Sequence, residues 1–166
     1  MRWLDERIGE AIDDRGNIRD SATPNLGRLR SGVGEKYRKL ANHLERLIAK
    51  PSVRSAIQAP VIATRGDRLV VEVRSGQRSA VPGIVHDVSN TGQTLFVEPF
   101  DAVDLCNGWR EAAAEVIREE EKVLRRLSGQ ISDRAGDCMM AIEAAGRLDL
   151  IFTRARLAHL MRAARA

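Results

Sequence analysis

Arg65, Arg68, Arg74, Gln77 and Arg78, together with Asn90, Thr91 and Gln93, are the side chains of this sequence best suited to a shared chemistry. Guanidinium and carboxamide groups carried on turns donate hydrogen bonds to phosphate oxygens, so the set can hold a nucleic-acid backbone without reading its bases. Asp67, Glu72, Asp87 and Glu98 offer the competing arrangement, in which each turn residue is solvated and balanced by a nearby acid. No catalytic centre is visible beside them. His43, His86 and His159 have no companions at metal-ligand spacing, and His86-Asp87 has neither a nucleophile nor a metal next to it. Cys106 and Cys138 lie far apart on helical segments, a pattern of reduced, buried thiols rather than of a disulfide. Arg65-Gly66-Asp67 reads as turn chemistry and not as an adhesion tripeptide.

The elements that position these residues are short strands. Val61 to Thr64 and Leu69 to Arg74 enclose Arg65-Gly66-Asp67-Arg68, where Gly66 and Asp67 supply the backbone angles of a tight hairpin turn. Ile84 to Val88 and Thr94 to Val97 form a second hairpin around Ser89-Asn90-Thr91-Gly92, bounded by Pro82-Gly83 and Pro99. About four strands make a small, mostly antiparallel sheet, which gains stability by packing on a helix.

On both sides of the sheet the hydrophobic period changes from about two to about 3.6 residues. Upstream, Thr23-Pro24 starts a helix with Leu26, Leu29, Val33, Tyr37, Leu40, Leu44 and Leu47 at three-four spacing, and Lys50-Pro51 ends it. Gly27, Gly32 and Gly34 place any bend or fraying near its start. Downstream, Asp101 caps a stripe from Leu105 through Trp109, Val116, Val123 and Leu127, continued by Ile131, Met139, Ile142, Leu148 and Phe152, with kink sites at Ser128-Gly129 and Gly136. Leu4, Ile8, Ala11 and Ile12 make a short first helix that stops at Gly16. The expected class is α+β, mainly α: long antiparallel helices with a small β-sheet module inserted, in an elongated arrangement. Its divisions are residues 1–58, helical; 59–100, β-rich; and 101–166, a long returning helix.

The chain has 166 residues, with 43% hydrophobic but only 4% aromatic residues, a balance suited to helical cores of Ala, Leu and Ile. No apolar run approaches the roughly 20 residues that span a bilayer, and no apolar signal core opens the chain, so a cytoplasmic location without membrane contact is expected. The net charge is +4. Eight basic residues, Arg28, Arg30, Lys36, Arg38, Lys39, Arg46, Lys50 and Arg54, face only Glu35 and Glu45 between them. Asp101, Asp104, Glu111, Glu115, Glu119, Glu120 and Glu121 make the start of the downstream helix acidic, and an antiparallel pairing of the two helices would cancel much of this charge.

Several blocks resemble one family. Ile18-Arg19-Asp20-Ser21-Ala22-Thr23-Pro24-Asn25-Leu26, Val81-Pro82-Gly83-Ile84-Val85-His86-Asp87, Gly92-Gln93-Thr94-Leu95-Phe96-Val97-Glu98-Pro99 and Leu148-Asp149-Leu150-Ile151-Phe152 are similar to the bacterial MutS family, second class, which lacks the mismatch-reading domain. The resemblance runs from about Leu4 to about Ala158. It implies the helical core and lever arms with the clamp at their tip, acting in DNA repair or recombination control. Phe96-Val97-Glu98 is not the family's mismatch-reading wedge, which belongs to a different domain.

The same resemblance implies an ATPase, with ATP and Mg, and the nuclease domain that the family often carries, in the intact protein, together with a homodimer. This chain shows no phosphate-loop pattern of Gly and Lys-Ser/Thr, so it reads as an excised fragment with no enzymatic activity or cofactor of its own. Two functions stand as expectations. One is a clamp on duplex or branched DNA, acting mainly through backbone phosphates. The other is an interaction module for self-association or ribosome docking, which exposure of Leu40, Leu44 and Leu47 would favour.

Overall fold

The structure, a computed structural model, describes residues 2–161. It is α+β and mainly α, 66% helical with one four-stranded antiparallel sheet. The chain packs as two compact units, residues 2–22 with 121–161, and Thr23–Glu120. The ends of the first and third expected divisions, residue 1 and residues 162–166, lie outside the described residues.

In the Thr23–Glu120 unit, α2 (Leu26–Ala49) begins where the Thr23 hydroxyl accepts a hydrogen bond from the Leu26 amide at 3.1 Å. Pro51 then opens a single further turn, α3 (Pro51–Arg54). The helix is continuous through Gly27, Gly32 and Gly34, so the expected weakening there does not break it. Helical hydrogen bonding continues across these positions, and burial of Leu26 at the start of the helix offsets the low helix propensity of glycine. Leu40, Leu44, Leu47 and Ile48 are buried against Val53, Ala56 and Ile57, and against Leu69, Val71, Val73 and Val97 of the sheet. Leu40, Leu44 and Leu47 are thus core, and the support they would have lent to self-association is removed.

The sheet contains β1 (Ile57–Arg65), β2 (Arg68–Arg74), β3 (Gly83–Val88) and β4 (Thr94–Pro99), in the order β1-β2-β4-β3. The β1–β2 turn is Gly66-Asp67, with Gly66 at φ +58°, as its residue types require. β1 starts earlier than the alternation of side chains indicates. Pro60 is accommodated on this edge strand by irregular pairing between Ala59 and Ile62. Residues 75–80 form a 3-10 segment between β2 and β3 that the sequence pattern gave no sign of. Gly83 is required by close packing: a Cβ there would lie 2.2 Å from the Glu98 carbonyl oxygen.

After a 3-10 turn at Phe100–Ala102, α4 (Val103–Ser132) runs antiparallel to α2. Arg30 pairs with Glu120 at 2.7 Å, Tyr37 meets Trp109 edge-on at 5.6 Å, and His43 lies 3.2 Å from Asp101. As the α2 number rises its partner's number falls, which is the signature of antiparallel neighbours.

In the other unit, α1 (Arg2–Ala11) packs through Ala11, with Ile8, Ile12 and Ile18, on Val123 and Leu127 of α4. The turn after α1 is tied by Asp13, whose Oδ1 accepts the backbone N–H groups of Arg15 and Asn17, and Gly16 adopts φ +84°. The break after α4 falls at Asp133-Arg134, not at Gly129, and α5 (Ala135–Leu160) follows. The expected core stripe of α5 is not buried. Met139, Ile142, Leu148 and Phe152 are 56–71% exposed, because no element among the described residues packs over them.

Candidate nucleic-acid interface

The eight residues expected at the interface fall into two groups separated along β2, which spans about 20 Å at roughly 3.3 Å per residue. Arg65 and Arg68 flank the β1–β2 turn. Arg74 ends β2, where it pairs with Thr94, and the Ser75 amide donates to the Gln93 carbonyl at 2.9 Å. Gln77 and Arg78 follow in the 3-10 segment, while Asn90, Thr91 and Gln93 form the β3–β4 turn with Gly92 at φ +71°. Antiparallel pairing of β2 with β4 brings these two stretches together, which their separation in sequence conceals.

At the β1–β2 turn the cations are matched by acids. Arg68 donates to Glu98 Oε1 at 2.8 Å, and His86 Nε2 lies 2.6 Å from the other oxygen, Oε2. The Glu98 side chain is 1% exposed and that of Arg68 is 19% exposed. Arg68, expected on an exposed turn, is therefore a buried-pair partner. Burial acts against its charge, but the hydrogen bond and charge of Glu98 outweigh it, and the guanidinium is held above its ordinary pKa.

Arg65 lies 3.4 Å above the Phe96 ring and bonds Asp87 at 3.2 Å, and Arg110 pairs with Asp67. Arg65, Gly66, Asp67, Arg68, His86 and Asp87 line an open hollow of about 390 Å³. Each cation here already has a carboxylate, so the hollow offers little unbalanced charge to a phosphate. Cys106 is buried in the adjoining core, and burial, reinforced by Glu98, raises its pKa. Cys138, expected to be buried, is of intermediate exposure, and neither cysteine forms a disulfide among the described residues.

The other group is different. The Arg74 guanidinium donates to the neutral Gln58 side chain at 3.2 Å, and among the described residues neither Arg74 nor Arg78 makes an ion pair. Arg74, Gln77, Arg78, Asn90, Thr91 and Gln93 are all exposed. Two charges and four polar side chains on a hydrogen-bonded strand end can meet phosphate oxygens without first breaking an internal pair.

The Arg68–Glu98–His86 network and the Arg110–Asp67 pair were not legible from the sequence. His86 and Glu98 are 12 residues apart and meet only through the β3–β4 pairing, displaced by the irregularity between Val85 and Asp87.

No protein-family model matches the chain. It is similar to proteins named Endonuclease MutS2: 43% identical over 152 residues to that of Thermomicrobium roseum, covering 92% of this chain and 19% of the relative. It is 37% identical over 162 residues to that of Geobacillus thermodenitrificans, covering 98% and 21% respectively. A cyanobacterial relative, from Synechocystis, is 35% identical over 153 residues, covering 92% and 18%. The chain spans about a fifth of the length of the curated relatives it matches. Likeness that runs along nearly the whole of this chain supports a MutS-related family for it.

Proposed function

We propose that this chain is the lever and clamp segment of a MutS-like DNA-binding ATPase and that it holds duplex or branched DNA through backbone phosphates. The observation that carries this reading is the exposed set Arg74, Gln77, Arg78, Asn90, Thr91 and Gln93, whose charges have no carboxylate partner among the described residues, at one end of a hydrogen-bonded sheet. The likeness to MutS2 proteins supports DNA rather than another polyanion as the ligand. In this account ATP and Mg act elsewhere in a longer, homodimeric, cytoplasmic protein, and the sheet contributes grip and no chemistry. The test is competition binding of the 166-residue chain to linear duplex, a four-way branched duplex and ribosomal RNA. Salt-sensitive binding to the two DNAs, indifferent to base sequence, is expected. Binding to ribosomal RNA alone would transfer the reading to ribosome docking.

A second reading, an interaction module, is favoured by α5. Met139, Ile142, Leu148, Ile151 and Phe152 are exposed on a helix that buries none of its residues. An apolar helix surface of this kind ordinarily meets another protein surface.

A further inference from the structure

The acidic start of α4 leaves most of the basic charge of α2 unmatched. Arg30 takes Glu120 at 2.7 Å. Arg28 bonds the neutral Asn25 side chain, and Arg46 donates from Nε to the Asn42 carbonyl of its own helix. Among the described residues Lys36, Arg38, Lys39, Lys50 and Arg54 form no ion pair, and all five are exposed. The expected cancellation of charge between the two helices is thus confined largely to one end of α2.

The unmatched cations are not spread evenly. At 100° per residue Lys39, Arg46 and Lys50 fall within about 40° of one another around the helix, in steps of roughly 10 and 6 Å along it. His43 lies beside them, and His43, Arg46, Leu47, Lys50 and Asp101 line a pocket of about 210 Å³. His43 Nε2 is 3.2 Å from Asp101 but makes no hydrogen bond to it. Asp101 is the one acid in this lining, and Glu45 lies about 100° away around the helix from Arg46. The C-terminal dipole of α2 opposes an anion near Arg46 and Lys50, in and just after its last turn, so Lys39 is the stronger member.

We propose that the Lys39-Arg46-Lys50 face of α2 is a second phosphodiester-binding surface, separate from the strand end at Arg74 and Arg78. This rests on the reading of the chain as a nucleic-acid binder and extends it. The partner is a duplex backbone, because the three charges extend over about 16 Å, a length along which duplex DNA presents on the order of ten phosphate charges. Lysine, a point charge on a flexible stem, suits sequence-independent contact. The backbone chemistry is shared by DNA and RNA duplexes.

The experiment measures affinity of the 166-residue chain for a random-sequence 30-base-pair DNA duplex and its RNA equivalent between 50 and 200 mM salt. The variants are Lys39→Ala/Arg46→Ala/Lys50→Ala and the charge-retaining Lys39→Arg/Arg46→Lys/Lys50→Arg. The Ala variant is expected to lose two to three units of the slope of log affinity against log salt on DNA, at about 0.9 per phosphate contact. Over that fourfold salt range the difference is roughly 40-fold in salt sensitivity. The charge-retaining variant keeps the slope, and melting temperatures stay within about 2 °C because all three side chains are exposed. A slope within about half a unit of wild type in the Ala variant, with Arg74→Ala/Arg78→Ala still losing slope, overturns the α2 surface and leaves the proposed function standing. No salt-dependent binding by the wild-type chain to either duplex overturns both. Loss that depends on base sequence also contradicts backbone contact.

Discussion

Arg68 and Arg78 have the same side chain and were both candidates for phosphate contact, yet their surroundings set opposite expectations. Arg68 neutralises a carboxylate that is 1% exposed, so removing it leaves Glu98 buried with the His86 ring beside it and without its guanidinium partner. Arg68→Ala is expected to destabilise the Thr23–Glu120 unit by about 2 to 4 kcal/mol, whereas the exposed Arg78→Ala should stay within about 0.5 kcal/mol. Urea unfolding followed by Trp109 fluorescence in a Trp3→Phe background isolates this unit, since Trp3 belongs to the other. Equal midpoints for the two variants would refute the buried pair.

Asp13 provides a second residue-level test. The Asn17 backbone N–H is the main reason that its pKa lies below the ordinary value of 3.8; burial acts the other way, and the Asn17 side chain, the Arg15 amide and Arg19 add to the lowering. A lowered folded pKa means that the folded form binds fewer protons. The contribution is therefore present above the ordinary value and is lost as pH falls through the folded one. Hydrogen-exchange protection of the Arg15 and Asn17 amides should fall on acidification from about pH 5 to about pH 2.5, and Asp13→Ala should abolish that dependence. At this scale the sequence disclosed the residue types that can grip phosphate. It did not disclose which of them would be taken by internal carboxylates, since that depends on cross-strand distances.

Among the elements, the hairpins were legible because Gly66 and Gly92 sit where positive φ is needed. The amphipathic half of α2 was legible because Leu40, Leu44 and Leu47 repeat at helical spacing. Gly83 gives the sharpest test of the sheet. Its hydrogen occupies the only space left beside the Glu98 carbonyl and the Val97 side chain, at 2.2 and 2.7 Å from a would-be Cβ. Gly83→Ala should cost about 2 to 3 kcal/mol by forcing β3 away from β4. Gly146→Ala, in the interior of α5 with no atom within 4 Å of the added methyl, should instead be neutral or stabilise by up to about 1 kcal/mol. Thermal melts of the two variants distinguish these outcomes.

α5 is where sequence patterning misled. Ile142, Ala145, Leu148 and Phe152 are apolar at three-four spacing, but period alone reports which residues share a face and not whether anything covers it. If the interaction reading holds, Leu148→Lys/Ile151→Glu/Phe152→Lys should suppress concentration-dependent association in sedimentation while changing stability by less than about 1 kcal/mol. Association that persists in this variant would remove α5 from the contact surface.

For the molecule as a whole, similarity to MutS2 proteins supports a MutS-related family, while the uneven distribution of matched and unmatched charge is what the proposed surface rests on. The division into units at residues 22–23 and 120–121 follows none of the changes in hydrophobic period, because α4 contributes to both units through one uninterrupted stripe. Net charge alone could not have separated the two ends of the sheet, since both carry arginines.

The central claim, that the Arg74–Arg78 end grips nucleic-acid backbone, is tested most directly by the salt dependence of duplex DNA binding in Arg74→Ala/Arg78→Ala against wild type. The account predicts a slope of log affinity against log salt reduced by somewhat under two units, equally for unrelated sequences, with folding stability unchanged within about 1 kcal/mol. A slope identical to that of wild type would contradict it.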